Sequence, residues 1–247
     1  APSSHVIHVD ACGIQCPGPM LKLKKCMETL QPGQRLEVRA TDAGFPRDAE
    51  SWCRTTGNQF IEKRSEGGMY YAVIEKTLPG VPSKAGTSVS EEKGKTLILF
   101  SDNLDKTLAT FVLANGAAAT GKKVSIFFTF WGLNAIKKTD KPRVKKDIWG
   151  RMFGWMLPSD STKLALSQMN MLGIGARMMR YLMKKKGVDS LETLRQQAID
   201  NGVEFIACQM SMDVMGVKRE ELLDEVTVGG VATYMERAEQ ANVNLFI

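Results

Sequence analysis

Along the first 75 residues the spacing of apolar positions changes repeatedly, and each change marks an element. Residues 6–9 form a short β-rich run. Met20, Leu23, Met27 and Leu30 then fall on one helical stripe, with Lys22, Lys25 and Glu28 off it, which predicts a helix over 18–30. Gln31-Pro32-Gly33 stops that helix, and Leu36, Val38 and Ala40 alternate as a half-buried strand. Pro46 suits the first position of a helix running to residue 56, closed by Gly57-Asn58. Residues 59–64 and 69–75 read as a hairpin around residues 65–68. The order βαβαββ predicts a small two-layer α/β sandwich, just large enough at about 75 residues to bury its own core.

Residues 76–95 hold two Pro, three Gly and three Ser among few large apolar side chains, a linker composition. Beyond it, strand-like runs at 96–100, 124–130, 203–209 and 243–247 alternate with helical patterns at 105–119, 162–186, 191–201 and 230–241. Asp189 with Glu192 is a candidate capping box for the third of these helices. Apolar strands separated by helices imply a doubly wound, mostly parallel sheet. The expected organisation is a first domain over 1–75, a linker over 76–95 and a second domain over 96–247.

Composition narrows the function. Of 247 residues, 43% are hydrophobic and 24% charged, which excludes wholesale disorder. The longest apolar run, residues 124–136, is broken by Thr129 and Asn134 and falls short of the roughly 20 residues a membrane-spanning helix needs. Residues 1–10 lack a signal-peptide pattern, and five cysteines form no disulfide framework, so reduced thiols in the cytoplasm are expected. His5 and His8 are the two histidines, which argues against zinc sites and Ser–His triads, and no cofactor or metal is expected. The net charge of +6 is uneven. Residues 1–75 carry nine basic and nine acidic side chains, whereas 137–186 carry thirteen basic and three acidic. A segment so charged is a solvated basic surface or an attractor of anions.

The sharpest local signal is Cys12-Gly13-Ile14-Gln15-Cys16-Pro17-Gly18-Pro19. Cys16 falls at the start of the first predicted helix, where free N–H groups and the helix dipole favour a thiolate, and Lys22 and Lys25 add positive charge nearby. An exposed nucleophilic sulfur is expected there. The C-x-x-x-C spacing is not the C-x-x-C of dithiol redox or zinc sites. Cys12, Cys26 and Cys53 read as ordinary packed cysteines, the last two within helices.

With these residues in view, residues 5–76 resemble the TusA/SirA-like sulfur carriers, on the strength of DACGIQCPGPMLKLKK, QPGQ and ATDAGFPRDAESWC. The resemblance implies that Cys16, in Cys16-Pro17-Gly18-Pro19, carries sulfur as a persulfide and hands it on. Cys12 stands where many members have an aliphatic residue, either as a neutral variant or to resolve the persulfide to a disulfide.

In an open parallel sheet, ligands bind beyond the carboxyl ends of the strands. Three such ends are legible: Ser101-Asp102-Asn103, Trp131-Gly132-Leu133-Asn134 and Cys208-Gln209-Met210-Ser211-Met212. The first carries no phosphate-binding glycine motif. Cys208 faces either the crevice or the sheet interior. Residues 95–247 resemble DsrE-like domains, which transfer sulfane sulfur through cysteine, and this implies a sulfur-exchange role for Cys208. The two domains in this order also resemble the C-terminal portion of CoA-disulfide reductase–rhodanese fusions. That resemblance implies a longer polypeptide and a rhodanese or CoA-disulfide reductase-type donor.

Residues 148–183 are rich in Met and aromatic side chains between basic flanks. They read as packing on the sheet or in a homo-oligomer, then as a partner-docking surface, and last as a membrane surface. The aromatics do not form a stacking platform for nucleic acid. The leading expectation is a sulfurtransferase-type relay in which Cys16 takes sulfur from an anionic donor and exchanges it with Cys208. A Cys12/Cys16 dithiol redox protein and a non-catalytic recruiting module are the alternatives.

Overall fold

The computed structural model describes residues 6–14, 18–77, 93–140, 142, 144–146 and 148–247. They fall into two compact units, one from the span Ala1–Glu91 with Val228–Glu239, the other from Glu92–Thr227 with Gln240–Ile247.

The first unit has the expected order: β1 (Val6–Ala11), α1 (Gly18–Thr29), β2 (Arg35–Ala40), α2 (Phe45–Thr56), β3 (Gln59–Glu66) and β4 (Met69–Glu75). The sheet runs β1-β2-β4-β3, with β1 and β2 parallel and the other pairs antiparallel. Alternation decides which side is covered. Leu36, Val38 and Ala40 of β2 stand beside Ile74 and Ala72 of β4 and bury against Leu23 and Met27 of α1 and Phe45 and Ala49 of α2. Each such aliphatic or aromatic side chain contributes about 1.5–3 kcal/mol when fully buried.

Helix α8 (Val231–Glu239), which the sequence pattern groups with the second domain, belongs to this unit and packs on α2. Buried Asp48 of α2 accepts from the Gly230 N–H at 2.8 Å, the Thr233 N–H at 3.1 Å and the Thr233 hydroxyl, and so caps the start of α8 from outside. The Arg54 guanidinium grips Glu236 with two nitrogens.

The second unit contains β5 (Gly94–Leu99), α3 (Leu104–Ala119), β6 (Val124–Phe128), α4 (Ile148–Met156), α5 (Ile174–Lys185), α6 (Leu191–Asp200), β7 (Glu204–Cys208), α7 (Gln209–Met215) and β9 (Ala241–Phe246), and the short β8 (Thr227–Gly229) begins at its last residue before the boundary. Its sheet, β8-β7-β6-β5-β9, is mostly parallel, as expected. Phe111 of α3 packs on Phe128 and Phe205, which fixes the face of the sheet that α3 covers.

Several elements differ from the sequence pattern. The helix expected over 162–186 is helical as α5 only from Ile174, after short 3-10 turns at Ser161–Lys163 and Met171–Gly173. Met169, Met171 and Leu172 take positive φ, which a right-handed helix cannot pass through. Tertiary bonds hold the preceding stretch out of a helix: Leu104 N–H to the Ala165 carbonyl, and Ser167 N–H to Asp105. Expected strand 124–130 ends at Phe128 because Phe130 has φ 47° and opens a 3-10 segment, Phe130–Ile136. Ser190, not Asp189, caps α6, accepting from the Thr193 N–H at 3.1 Å. Helices α4 and α7 and strand β8 were not expected. Among the described residues no helix is long and apolar enough to cross a membrane.

Candidate functional site

Cys16 lies outside the described residues, but its flanks are placed. Strand β1 ends at Ala11 and α1 begins at Gly18. The glycine of the Cys-Pro-Gly-Pro motif leaves room for a neighbour: a Cβ on Gly18 would sit 2.0 Å from Cγ2 of Ile14 and would force that side chain to move. Lys22, expected to stand near the thiolate, reaches back from α1 and donates to the Asp10 carbonyl at 2.5 Å.

Two of the other cysteines of the first unit, Cys12 and Cys53, have raised thiols for identifiable reasons. Cys53 is 1% exposed in the core, and burial pushes its thiol up to about 12. Cys26 is half-buried against the same core. Cys12 is half-buried just after β1, where its N–H donates to Asp10 Oδ1 at 2.9 Å and its thiol lies 3.6 Å from the Met69 sulfur. Arg39 donates to Asp10 at 2.7 Å and holds that carboxyl far below the usual range. The hydrogen bond to this permanently charged carboxylate in turn raises the Cys12 thiol above its ordinary value, which keeps it protonated near neutral pH.

In the second unit, the three strand ends picked out in the sequence gather at the carboxyl edge of the sheet. Asn134 donates to Asp102 at 2.9 Å, joining the end of β6 to that of β5. The Thr129 and Ser211 hydroxyls share a 2.8 Å hydrogen bond, joining β6 to the first turn of α7. Cys208 is the last residue of β7 and the N-cap of α7, 6% exposed. By alternation it shares the sheet face of Ile206 and Glu204, opposite Phe205 and α3. Cys208 thus lies buried on a sheet face, at the strand end.

The 3-10 segment fits so closely that Gly132 is required, since a Cβ there would lie 2.0 Å from the Leu99 carbonyl oxygen. Phe100, Phe130, Trp131 and Phe246 form an aromatic wall beside these strand ends, with ring centroids 5.4–5.8 Å apart.

Sequence reasoning missed Lys137, which it counted with a solvated basic run. Lys137 is buried, donates to the Pro158 carbonyl at 3.2 Å, and is pushed down to about 8 by burial. The signal was its place directly after the apolar run Leu133-Asn134-Ala135-Ile136. Nearby Asn134 is fully buried and its Oδ1 has no partner among the described residues. Those residues also contain no cluster of His, Cys, Asp and Glu able to hold a metal ion.

Comparison with known proteins matches two parts of the chain separately. Residues 91–246 match the DsrE/DsrF/DrsH-like family and residues 7–76 match "Sulfurtransferase TusA". An uncharacterized protein of Bacillus subtilis, YrkE, is 45% identical over 157 residues, 64% of this chain and 98% of YrkE. "Sulfur carrier protein DsrE2" of Allochromatium vinosum is 36% identical over 161 residues, 64% of this chain and 99% of that protein. "Sulfur carrier protein TusA" of the same organism is 39% identical over 69 residues, 28% of this chain and 91% of that protein. The chain therefore joins a TusA domain to a larger domain of the DsrE/DsrF/DrsH-like family, and it belongs to both families.

Proposed function

We propose that this chain is a sulfur relay protein in which Cys16 accepts sulfane sulfur as a persulfide and Cys208 exchanges it. The observation that carries the reading is the pairing itself. One part of the chain is similar to nearly all of a protein named as a sulfur carrier, and a second part is similar to nearly all of another. The setting of Cys208 supports its share in the role, because strand ends of an open parallel sheet are where such folds hold ligands.

The chemistry needs no net oxidation. A cysteine thiolate attacks the outer sulfur of a donor persulfide, the donor's S–S bond breaks, and the donor leaves as a thiolate with the bonding electron pair. The donor in this proposal is an anionic persulfide, on a rhodanese or a CoA-disulfide reductase-type protein or on a small thiol. The basic residues of 137–186 favour its approach. A Cys12/Cys16 disulfide cycle fits less well, because the carboxylate beside Cys12 disfavours the thiolate that would attack the persulfide.

The test is intact-protein mass after brief exposure to a sulfane-sulfur donor, on wild type, Cys16→Ser and Cys208→Ser. A reducible one-sulfur increment that disappears with Cys16→Ser, and whose onward transfer depends on Cys208, supports the relay. Loss of two hydrogens, absent in a Cys12→Ser variant, overturns it in favour of dithiol chemistry.

A further inference from the structure

The stretch from α4 through α5 is unlike the rest of the second unit. Many of its described large apolar side chains are exposed. Ile148, Trp155 and Met156 of α4 are exposed, Trp155 at 88%. Of α5, Gly175 and Ala176 are the buried residues, while Ile174, Met178, Tyr181 and Leu182 are exposed. Between the helices, Met169, Met171 and Leu172 project into solvent, Leu172 at 104%, and all three have left-handed backbone. Residues that must pay for φ above zero rarely do so merely to expose hydrophobic surface, and such strain concentrates at functional sites.

The charge of the same stretch is positive. A cleft of about 310 Å³ beside Leu172 is lined by Thr162, Lys163, Asn170, Arg177 and Arg180 among others. Arg180 is partly engaged, donating to the Ser161 carbonyl at 3.1 Å and lying 3.7 Å from Glu192. Lys163 and Arg177 have no ion-pair partner among the described residues. Lys184, Lys185 and Lys186 close the end of α5.

We propose that this surface docks on an anionic lipid bilayer, with Leu172, Met171 and Met169 entering the acyl boundary and the Lys163–Arg177–Arg180 cleft seating a headgroup phosphate. Three features favour a lipid surface over a protein partner. The apolar residues form a projecting tip, which a fluid phase accepts without a complementary groove, whereas a protein interface packs a shaped core. Trp155 and Tyr181, residue types that favour the membrane–water interface, are exposed on the flanking helices. Exposed Lys163, Arg177 and Lys184-Lys185-Lys186 place positive charge on the same stretch, which matches a negative surface potential. Since no described helix is long and apolar enough to span, the mode is attachment to one face. This inference stands apart from the relay chemistry.

The experiment is co-sedimentation of the full chain with phosphatidylcholine vesicles and with mixed phosphatidylcholine–phosphatidylglycerol vesicles, alongside size-exclusion chromatography. Wild type is expected to pellet with the anionic vesicles, less so as salt rises, and to stay in solution with phosphatidylcholine alone. A Met171→Glu/Leu172→Glu variant, which loses no packing, is expected to bind about tenfold more weakly, and Arg177→Glu to bind more weakly with a flatter salt dependence. Thermal unfolding like that of wild type verifies the fold of each variant. No binding to either vesicle, or binding that these changes leave alone, overturns the proposal. So does an oligomer that the Glu variant dissociates without any vesicle binding, which would assign the surface to a second copy.

Discussion

Asp10 and Cys12 are locked together at the end of β1: the Cys12 N–H donates to Asp10 Oδ1 at 2.9 Å while Arg39 holds the other carboxylate oxygen at 2.7 Å. The arrangement fixes a negative charge beside the thiol and raises it, so the cysteine nearest in sequence to Cys16 is held in its protonated form near neutral pH. Replacing Asp10 with Asn removes that charge and leaves Arg39 unpaired, and both changes lower the Cys12 thiol. Alkylation of Cys12 near neutral pH should then accelerate, by about threefold for each pH unit that its midpoint falls, because the tenfold gain in thiolate is partly offset by its weaker nucleophilicity. Mass spectrometry of iodoacetamide-treated wild type and Asp10→Asn, in a Cys16→Ser background, measures this directly. An unchanged rate would mean that Asp10 does not govern the thiol.

Gly132 predicts a steric result. Its α-carbon faces the Leu99 backbone, and a methyl group there would lie 2.0 Å from the carbonyl oxygen, which cannot rotate away. Gly132→Ala should cost about 3 kcal/mol in urea unfolding, at the upper end of overpacking effects. It should also separate the strand ends that the Asp102–Asn134 and Thr129–Ser211 bonds hold together. Gly116→Ala is the comparison, since nothing lies within 4 Å of a Cβ there.

The first unit was legible because its signals are local. Period-two and period-3.6 stretches, a proline at a helix start and a glycine-bearing hairpin each fall within a few residues, and every predicted element formed. In the second sheet four of the five strands, all but the three-residue β8, were equally legible, since runs such as Val124–Phe128 are buried throughout. The segment from 137 to 173 was not. Its path is set by distant groups: Leu104 binding Ala165, Asp105 binding Ser167, and Lys137 pairing across to Leu222. None of these leaves a periodic trace in sequence, so an apparent 162–186 helix was read where a strained loop precedes a shorter one. The candidate site followed the same rule. Cys208 at a strand end was readable from pattern, whereas the raised Cys12 thiol depends on a carboxylate two residues away that Arg39 holds charged from far along the chain, and the buried Lys137 amine depends on depth.

Asp48 should be the most sensitive polar residue in the first unit. One buried carboxylate oxygen accepts from Gly230 and twice from Thr233. Asp48→Ala strands those donors away from water and should cost about 2–3 kcal/mol, more than an ordinary surface cap. Asp48→Asn retains an acceptor and should recover part of the loss. Native-state hydrogen exchange gives the local reading: the Gly230 and Thr233 amides should lose protection in Asp48→Ala before the β2 and β4 amides do.

Lys137 makes a prediction whose sign follows from linkage. In the folded chain burial pushes its amine down to about 8 from the ordinary lysine value of 10.5. Between those two values the unfolded chain binds a proton there that the folded chain has already lost. Unfolding then takes up a proton, so stability from this group rises with pH across the window. Below about pH 8 both states are protonated and the charged amine carries its full burial penalty, offset in part by the Pro158 carbonyl at 3.2 Å and by the charges of Glu221, Asp102 and Asp160. Integrated over the window the gain is about 3 kcal/mol for a side chain this buried. Lys137→Met removes the titration while keeping a long flexible chain in the same space. Guanidinium unfolding of both proteins from pH 7 to pH 10 should therefore show wild type gaining stability relative to Lys137→Met once the pH passes 8. Parallel curves would mean that the amine titrates as an exposed lysine does and that the segment from Lys137 to Pro158 is more open than its burial implies.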